Sequence, residues 1–270
     1  MKKLIPFVLN TKIFISFAVL CLGLTTQLYL KSYNVNLLFV LFFGTLISYN
    51  FQRIIFFFHN SRGVKSSWFL SNTKLTYFLL FFSVIAFIYF FLKLNSTTKL
   101  MIALLSIISF SYPFGLRNVP FLKIFLITFS WAFSTTSLIY FENQILIDME
   151  FYLLFFSRAF FIIALTIPFD IRDAKYDLQK IITIPIFFGV KASKYISISF
   201  LFAYLLIELF LFSSFNFSLS FLLTSIMCFG YTIFFILQVN ENKSEFYYSF
   251  WLESCSVSLL FFLIITSIFL

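Results

Sequence analysis

In the stretch IPFDIRDAKYD, residues 167–177, a long apolar run ends in a cluster of carboxylates. Asp170, Asp173 and Asp177 are three of the four aspartates in a chain that has only ten acidic residues among 270. Their i, i+3, i+7 spacing places them on one face of a helix. Carboxylates this close repel one another unless a cation lies between them. The stretch therefore indicates a cation site at one end of an apolar helix.

The composition surrounding this stretch is that of a polytopic membrane protein. Hydrophobic residues make up 61% of the chain and charged residues 11%, and the mean hydropathy is +1.02. A soluble domain is about half apolar and a quarter charged, so this excess of apolar surface requires lipid. The net charge of +9 fits basic loops against anionic lipid headgroups better than nucleic acid. The three cysteines fall in apolar stretches without paired spacing, which indicates neither a disulfide nor a thiolate metal site.

Nine segments are apolar enough to span a membrane, given roughly 20 residues per span. They are residues 12–30, 36–58, 75–94, 98–112, 122–141, 151–169, 194–214, 217–238 and 249–270. The first segment resembles a signal peptide but lacks a small-residue cleavage site, so we interpret it as a span. We therefore predict one all-α domain over residues 1–270, a bundle of nine transmembrane helices around a central cavity.

Lysine and arginine are strongly biased to one side of the predicted spans. With the N-terminus inside, the inner loops receive most of the basic residues, and the loop after span five carries three acids and no base. The positive-inside rule then predicts a cytoplasmic N-terminus and an outer C-terminus, and we expect a bacterial plasma membrane. Two cytoplasmic loops, about 59–74 and 170–193, are predicted to be long. The aspartate cluster opens the second.

The cluster has the chemistry of a phosphate and Mg²⁺ site. Mg²⁺ takes one or two carboxylates together with water and phosphate oxygens. Arg172, Lys175 and Lys180 are interleaved with the aspartates and are suited to contact phosphate. The alternative is a solvated helix end with ordinary surface ion pairs.

On these residues the chain resembles the UbiA superfamily of intramembrane prenyltransferases. The likeness lies in IPFDIRDAKYD and in TIPIFFGVKAS at 183–193, with weaker matches in SYPFGLRNVPFLKIF at 111–125 and YYSFWLES at 247–254. The resemblance implies transfer of a prenyl group from a prenyl diphosphate, held with Mg²⁺ between two aspartate motifs. It implies that Asp170, Asp173 and Asp177 are the second motif, catalytic and metal-binding.

The first motif of that family is degenerate here. The family pattern N-D-x-x-D-x-x-x-D falls on SYNFQRIIFFFHNSRG, residues 48–63, where only Asn50 fits, and no acid occurs before Glu142. Arg53 lies one turn after Asn50. Either Arg53 replaces a metal by holding phosphate directly, or catalysis has been lost. Arg117 and Lys123 are further candidates for phosphate contact, and His59 is a weaker one.

Two other sets of polar residues lie in or beside the predicted spans. Arg158 and Glu208 lie at similar depth in adjacent spans, so we predict a structural ion pair between them. Glu253 follows Tyr247, Tyr248 and Trp251, which favours an interfacial aromatic belt. The alternative is that Glu253 reaches the aspartate site.

The leading hypothesis is a prenyltransferase that uses Mg²⁺, a prenyl diphosphate and a lipophilic acceptor, such as an aromatic one. The alternative is a catalytically inactive UbiA-like membrane protein that binds an isoprenoid or a partner. A transporter is disfavoured, because the sequence has no pair of interrupted spans. Membrane lipid, and not nucleic acid, is the expected surrounding partner.

Overall fold

The structure, a computed structural model, describes residues 4–58, 72–116, 119–177, 182–215 and 217–269. These residues form helices and turns, with no strand among them. The helices are α1 (Leu4–Asn10), α2 (Ile13–Tyr29), α3 (Val35–Phe58), α4 (Thr73–Phe91), α5 (Ser96–Ser111), α6 (Leu122–Ala132), α7 (Leu138–Glu142), α8 (Met149–Asp177), α9 (Ile184–Ser214), α10 (Leu219–Gln238) and α11 (Glu253–Phe269). A π-helical turn, Phe133–Ser137, joins α6 to α7, and a second one, Tyr247–Leu252, leads into α11.

The predicted all-α membrane bundle is confirmed. Within the described residues, eight helical segments are long and apolar enough to cross a membrane, and α2 is a shorter apolar helix of 17 residues. Each of the nine predicted spans coincides with one of these. Most of the helices carry apolar side chains on every face, as expected where one face contacts protein and the other contacts lipid.

The helices pack in a ring, with α2 on the inside. α2 contacts α3, α11 and the turn between α6 and α7, and it buries ten of its seventeen residues. The ring continues from α11 through α10, α9 and α8 to α6, while α4 packs outside α3. Gly23 lets α2 approach α3 closely: a Cβ there would lie 2.7 Å from Leu41 Cδ1.

The predicted loop over 170–193 is wrong, because helices occupy both of its ends. α8 continues to Asp177 and α9 begins at Ile184. Beyond the apolar run, Ile171 and Ala174 remain buried one turn apart, so packing extends the helix after the hydropathy has fallen. Within α9, Gly189 has φ +79°, and this left-handed residue breaks the regular helix.

The two ends of the bundle differ in their polar contacts. The aspartate end is where α8 carries Asp170 and Asp173 and where α6, α9 and α11 begin. At the opposite end, Glu142 accepts hydrogen bonds from Asn34 Nδ2 (2.9 Å) and from the Asn95 backbone N–H (3.1 Å). These bonds join the start of α3, the start of α5 and the end of α7.

A small cavity of about 40 Å³ lies in the half of the bundle away from the aspartates. Arg158 and Glu208 both line it, but the predicted direct ion pair is wrong. Glu208 instead accepts from Ser157 and, at 3.1 Å, from Ser225, while Arg158 Nη2 donates to Thr26 Oγ1 at 3.1 Å. Nearby hydroxyls provide closer partners than the opposite charge. The central cavity open to the cytoplasm stays a prediction.

Candidate functional site

Asp170 and Asp173 meet the ammonium of Lys123 at the aspartate end. Lys123 Nζ forms an ion pair with Asp170 Oδ1 and lies 3.7 Å from Asp173 Oδ2. Asp170 is fully buried, and Lys123 and Asp173 are only 5% and 9% exposed. Buried charges require such pairing, because desolvation costs several kcal/mol per ion. The α6 residue Lys123, a predicted phosphate contact, is therefore held against the aspartates of α8.

Arg172 is the second cation on this pair. Its Nε donates to Asp173 Oδ1 at 2.8 Å, a charge-assisted hydrogen bond. The guanidinium also lies over two aromatic rings, 5.2 Å from the centroid of Phe169 and 5.5 Å from that of Tyr248. Tyr248 is fixed in turn by its hydroxyl, which donates to the Asn240 carbonyl at 2.7 Å. Arg172 is thus held from three sides at the aspartate end.

Asn50 and Arg53 of α3 hold the corner between α1 and α2. Asn50 Nδ2 donates to the carbonyls of Thr11 (3.0 Å) and Leu46 (2.9 Å), and Arg53 Nη2 donates to the carbonyl of Asn10. Helix ends leave such carbonyls without intrahelical partners. Asn50 and Arg53, which belong to the degenerate motif, therefore fix the backbone immediately before Lys12.

That cation is Lys12, which sequence reasoning counted only as a basic residue beside the first span. It precedes α2 in a left-handed conformation, φ 69°, and is half-buried. Its charge interacts with those of Arg53, Arg172, Glu245 and Glu253. Burial, and then the Arg53 guanidinium, lowers the pKa of Lys12 to about 8. Lys12 lies two residues after Asn10, at the start of a helix, and nothing in the sequence distinguishes it beyond its charge.

Lys12 connects the two halves of the chain. Arg53 comes from α3 and Arg172 from α8, yet both lie within electrostatic range of this one ammonium. Within the described residues, the Lys12 ammonium makes no hydrogen bond and no ion pair. Lys12, Arg53 and Arg172 therefore join Lys123 at the aspartate end, and among the described residues no carboxylate is in direct contact with the Lys12 ammonium.

The aromatic run before α11 does not form the favoured lipid-facing belt. Tyr247 and Tyr248 are buried, and the Tyr247 hydroxyl donates to the Phe235 carbonyl at 2.6 Å. Glu253 lies within electrostatic range of Lys12 instead. The alternative, that Glu253 reaches the aspartate site, stays a prediction; the charge of Glu253 interacts with those of Lys12 and Arg172. Trp251, 40% exposed, alone fits the belt.

Two phenylalanines, Phe51 and Phe58, stand at aspartate positions of the degenerate first motif. Phe51 packs edge-on against Phe110 of α5, with ring centroids 5.0 Å apart, and lies 6.4 Å from Phe114. Phe58 is 68% exposed at the end of α3. Phe51 therefore packs against α5.

Several predicted site residues lie outside what the structure describes. Arg117, His59 and Lys180 are outside the described residues altogether. The backbone of Lys175 and Asp177 belongs to α8, but their side chains are outside the described part. Their roles stay predictions.

The comparisons with known proteins bear on the fold. No protein-family model matches the chain, and no curated protein matches it by sequence. Three solved structures do match.

One is a digeranylgeranylglyceryl phosphate synthase, with a TM-score of 0.61 and 18% identity over 100% of both chains. The second is an apo UbiA homologue from Aeropyrum pernix, with a TM-score of 0.65 and 11% identity over 94% of this chain and 97% of that one. The third is a UbiA homologue from Archaeoglobus fulgidus bound to GPP and Mg²⁺, with a TM-score of 0.66 and 12% identity over 96% of this chain and 97% of that one.

Identities this low concern the fold alone, yet the matches extend over nearly the whole chain in all three cases. They confirm the resemblance that the sequence motifs indicated. The chain has the fold of the UbiA-family intramembrane prenyltransferases.

Proposed function

We propose that this protein is an intramembrane prenyltransferase that binds a prenyl diphosphate at the aspartate end and passes the prenyl group to a lipophilic acceptor. One observation carries the proposal: cations gather at one end of an apolar bundle, where Arg53 holds the Asn10 carbonyl just before Lys12 and where Arg172 and Lys123 lie on Asp173 and Asp170. A cluster of cations beside apolar helices suits a ligand with an anionic head and an apolar tail. A prenyl diphosphate is such a ligand.

The cations have a direct role in that reaction. The bond between the allylic carbon and the diphosphate oxygen breaks, and both electrons leave with the diphosphate. The acceptor's nucleophilic atom gives an electron pair to that carbon and releases a proton. Lys12, Arg53 and Arg172 would stabilise the negative charge that develops on the departing oxygen, as preorganised charges do in other enzymes. The rings of Phe169 and Tyr248 hold Arg172 in position before the substrate arrives.

Mg²⁺ is bound together with GPP in the Archaeoglobus fulgidus neighbour. In this chain, the described residues contain no group of three or more side chains that would hold a metal ion. The two described aspartates are occupied by Lys123 and Arg172. As they are paired, these two carboxylates do not fit a bound Mg²⁺, and the side chain of Asp177 lies outside the described part, so no step is assigned to the metal.

We place the aspartate end in the cytoplasm, with an N-terminus inside and a C-terminus outside, in a bacterial plasma membrane. The support is the excess of lysine and arginine in the loops on that side. Water-soluble diphosphate would then reach the site from the cytoplasm while the acceptor arrives through the lipid.

Ligand-dependent stability tests the proposal. Geranyl diphosphate should raise the thermal stability of the detergent-purified protein, by about 2.7 kcal/mol at 100 times its Kd. Geraniol, which lacks the charge, should have little effect. Lys12→Met should weaken the effect, because it removes a cation that makes no structural hydrogen bond, whereas Lys31→Met at the opposite end should leave it unchanged.

Catalysis has its own readout. Release of diphosphate from geranyl diphosphate, in the presence of a membrane lipid extract that supplies acceptors, should exceed the rate of a Lys12→Met/Arg53→Met variant. The absence of any stabilisation by geranyl diphosphate would overturn the proposal. Stabilisation without diphosphate release would favour the binding-only alternative.

A further inference from the structure

We propose that the Lys123 ammonium is the resident cation of the Asp170–Asp173 pair, and that these carboxylates bind it instead of Mg²⁺. The inference rests on the proposed function and deepens it: a prenyl diphosphate would bind without a metal ion held by these two aspartates. Asp170 and Asp173 would then act as positioning residues for Lys123 and Arg172.

The geometry of Lys123 is that of a cation between two carboxylates. Its Nζ pairs with Asp170 Oδ1 and lies 3.7 Å from Asp173 Oδ2. Asp170 is 0% exposed and Lys123 5%, so the pair is desolvated. At this degree of burial, an unpaired carboxylate is strongly destabilising. The Lys123 ammonium therefore supplies Asp170 with the positive charge that a bound metal would otherwise supply.

The position of Lys123 along its helix makes the pairing more than incidental. Lys123 lies in the first turn of α6, where the helix dipole disfavours a positive charge. The backbone nevertheless brings it there: Phe121, immediately before α6, has φ 59°, and its N–H donates to the Ile182 carbonyl at 3.3 Å. A non-glycine residue in this conformation costs of order 1–3 kcal/mol. The positive charge in the first turn of α6 and the strained backbone of Phe121 both cost free energy. The contact of Lys123 with the carboxylates of α8 offsets this cost.

Arg172 places a second positive charge on the pair. Two carboxylates carry two negative charges, and Lys123 together with Arg172 supplies two positive ones. A divalent ion entering between the carboxylates would meet both cations and would have to displace Lys123. Repulsion between like charges at such distances is substantial in a desolvated site. The described arrangement therefore disfavours metal binding at Asp170 and Asp173.

Metal binding without substrate is the direct test. Mn²⁺, titrated into the detergent-purified protein and followed by electron paramagnetic resonance, should bind Lys123→Met at least about tenfold more tightly than the wild type, because the vacated carboxylates attract a cation. Lys123→Arg, which retains the charge, should behave like the wild type. Mg²⁺ alone should raise the melting temperature of Lys123→Met and leave that of the wild type unchanged.

Substrate binding supplies the second arm. Geranyl diphosphate should stabilise the wild type equally in Mg²⁺ and in EDTA. Tight Mn²⁺ binding by the wild type, or stabilisation by geranyl diphosphate only when Mg²⁺ is present, overturns the inference. If Lys123→Met does not fold, these wild-type measurements still decide. If geranyl diphosphate binds under neither condition, the proposed function fails, whereas the Mn²⁺ titrations still test the role of Lys123.

Discussion

The buried charges of Arg158 and Glu208 lead to a prediction about stability. They line one cavity of about 40 Å³ without forming a direct ion pair, and each is bonded to hydroxyl groups instead. A buried polar site needs roughly 10–15 Å³ per water, so this cavity has room for about three. We expect water to bridge the two side chains, and we expect their charges to be coupled although the groups do not touch.

The size of that coupling follows from the separation. With one bridging water, the charges lie about 5.5 Å apart, and an effective dielectric constant of about 20 gives an attraction of about 3 kcal/mol. Glu208→Gln and Arg158→Met should each lower the free energy of unfolding by about 3 kcal/mol, because each leaves one uncompensated buried charge. The double variant Arg158→Met/Glu208→Gln should recover most of one such loss.

A double-mutant cycle in mixed detergent micelles measures this coupling through SDS-driven unfolding. Glu245→Gln is the matched control, since Glu245 is exposed and its substitution should change the free energy of unfolding by less than about 0.5 kcal/mol. Losses from the two single variants that add within about 0.5 kcal/mol would refute the reasoning, because they would show that the two charges do not interact.

Two further predictions concern Lys12 and the contact between α2 and α3. Burial lowers the pKa of Lys12 to about 8, so its ammonium is charged below that pH. The affinity for geranyl diphosphate should therefore fall as the pH rises above 8, and Lys12→Arg should remove this fall. An identical pH profile in that variant would contradict the role of Lys12. Gly23→Leu should lower the free energy of unfolding by about 1–3 kcal/mol, because the whole leucine side chain must fit where Leu41 Cδ1 lies 2.7 Å and Leu38 Cδ2 3.4 Å from the Cβ position. Gly230→Leu, where nothing lies within 4 Å of the Cβ position, should cost far less, and equal losses would count against close packing as the cause.

The bundle could be predicted from the sequence because lipid imposes a simple rule. Each span needs a long apolar run, and such runs are visible in composition alone. The end of α8 could not be predicted this way. Hydropathy falls after Phe169, but Ile171 and Ala174 stay buried, and only the packing of other helices around them reveals that the helix continues.

The acidic residues of the site could be predicted because acidic residues are rare in this chain, whereas its basic residue Lys12 was missed because basic residues beside spans are common. Asp170 and Asp173 stand out because the chain has few acids, and the structure places them together. Lys12 does not stand out, since basic residues beside a span are common. The partners of Arg158 and Glu208 were also missed, because depth along two helices does not specify which of several hydroxyls lies nearer than the opposite charge.

The degenerate first motif and the position of Lys123 have a common electrostatic meaning. A diphosphate must be met by positive charge, and metal ions bound by two facing sets of carboxylates provide it only if both sets exist. Here α3 has no carboxylate and presents Arg53, which supports the corner carrying Lys12. A metal on the α8 aspartates alone would lack its counterpart across the site, whereas Lys123 and Arg172 neutralise these aspartates from within the chain. On the proposed function, the loss of acids from α3 and the pairing of Lys123 with α8 are two parts of one change, in which fixed cations of the protein replace bound metal ions.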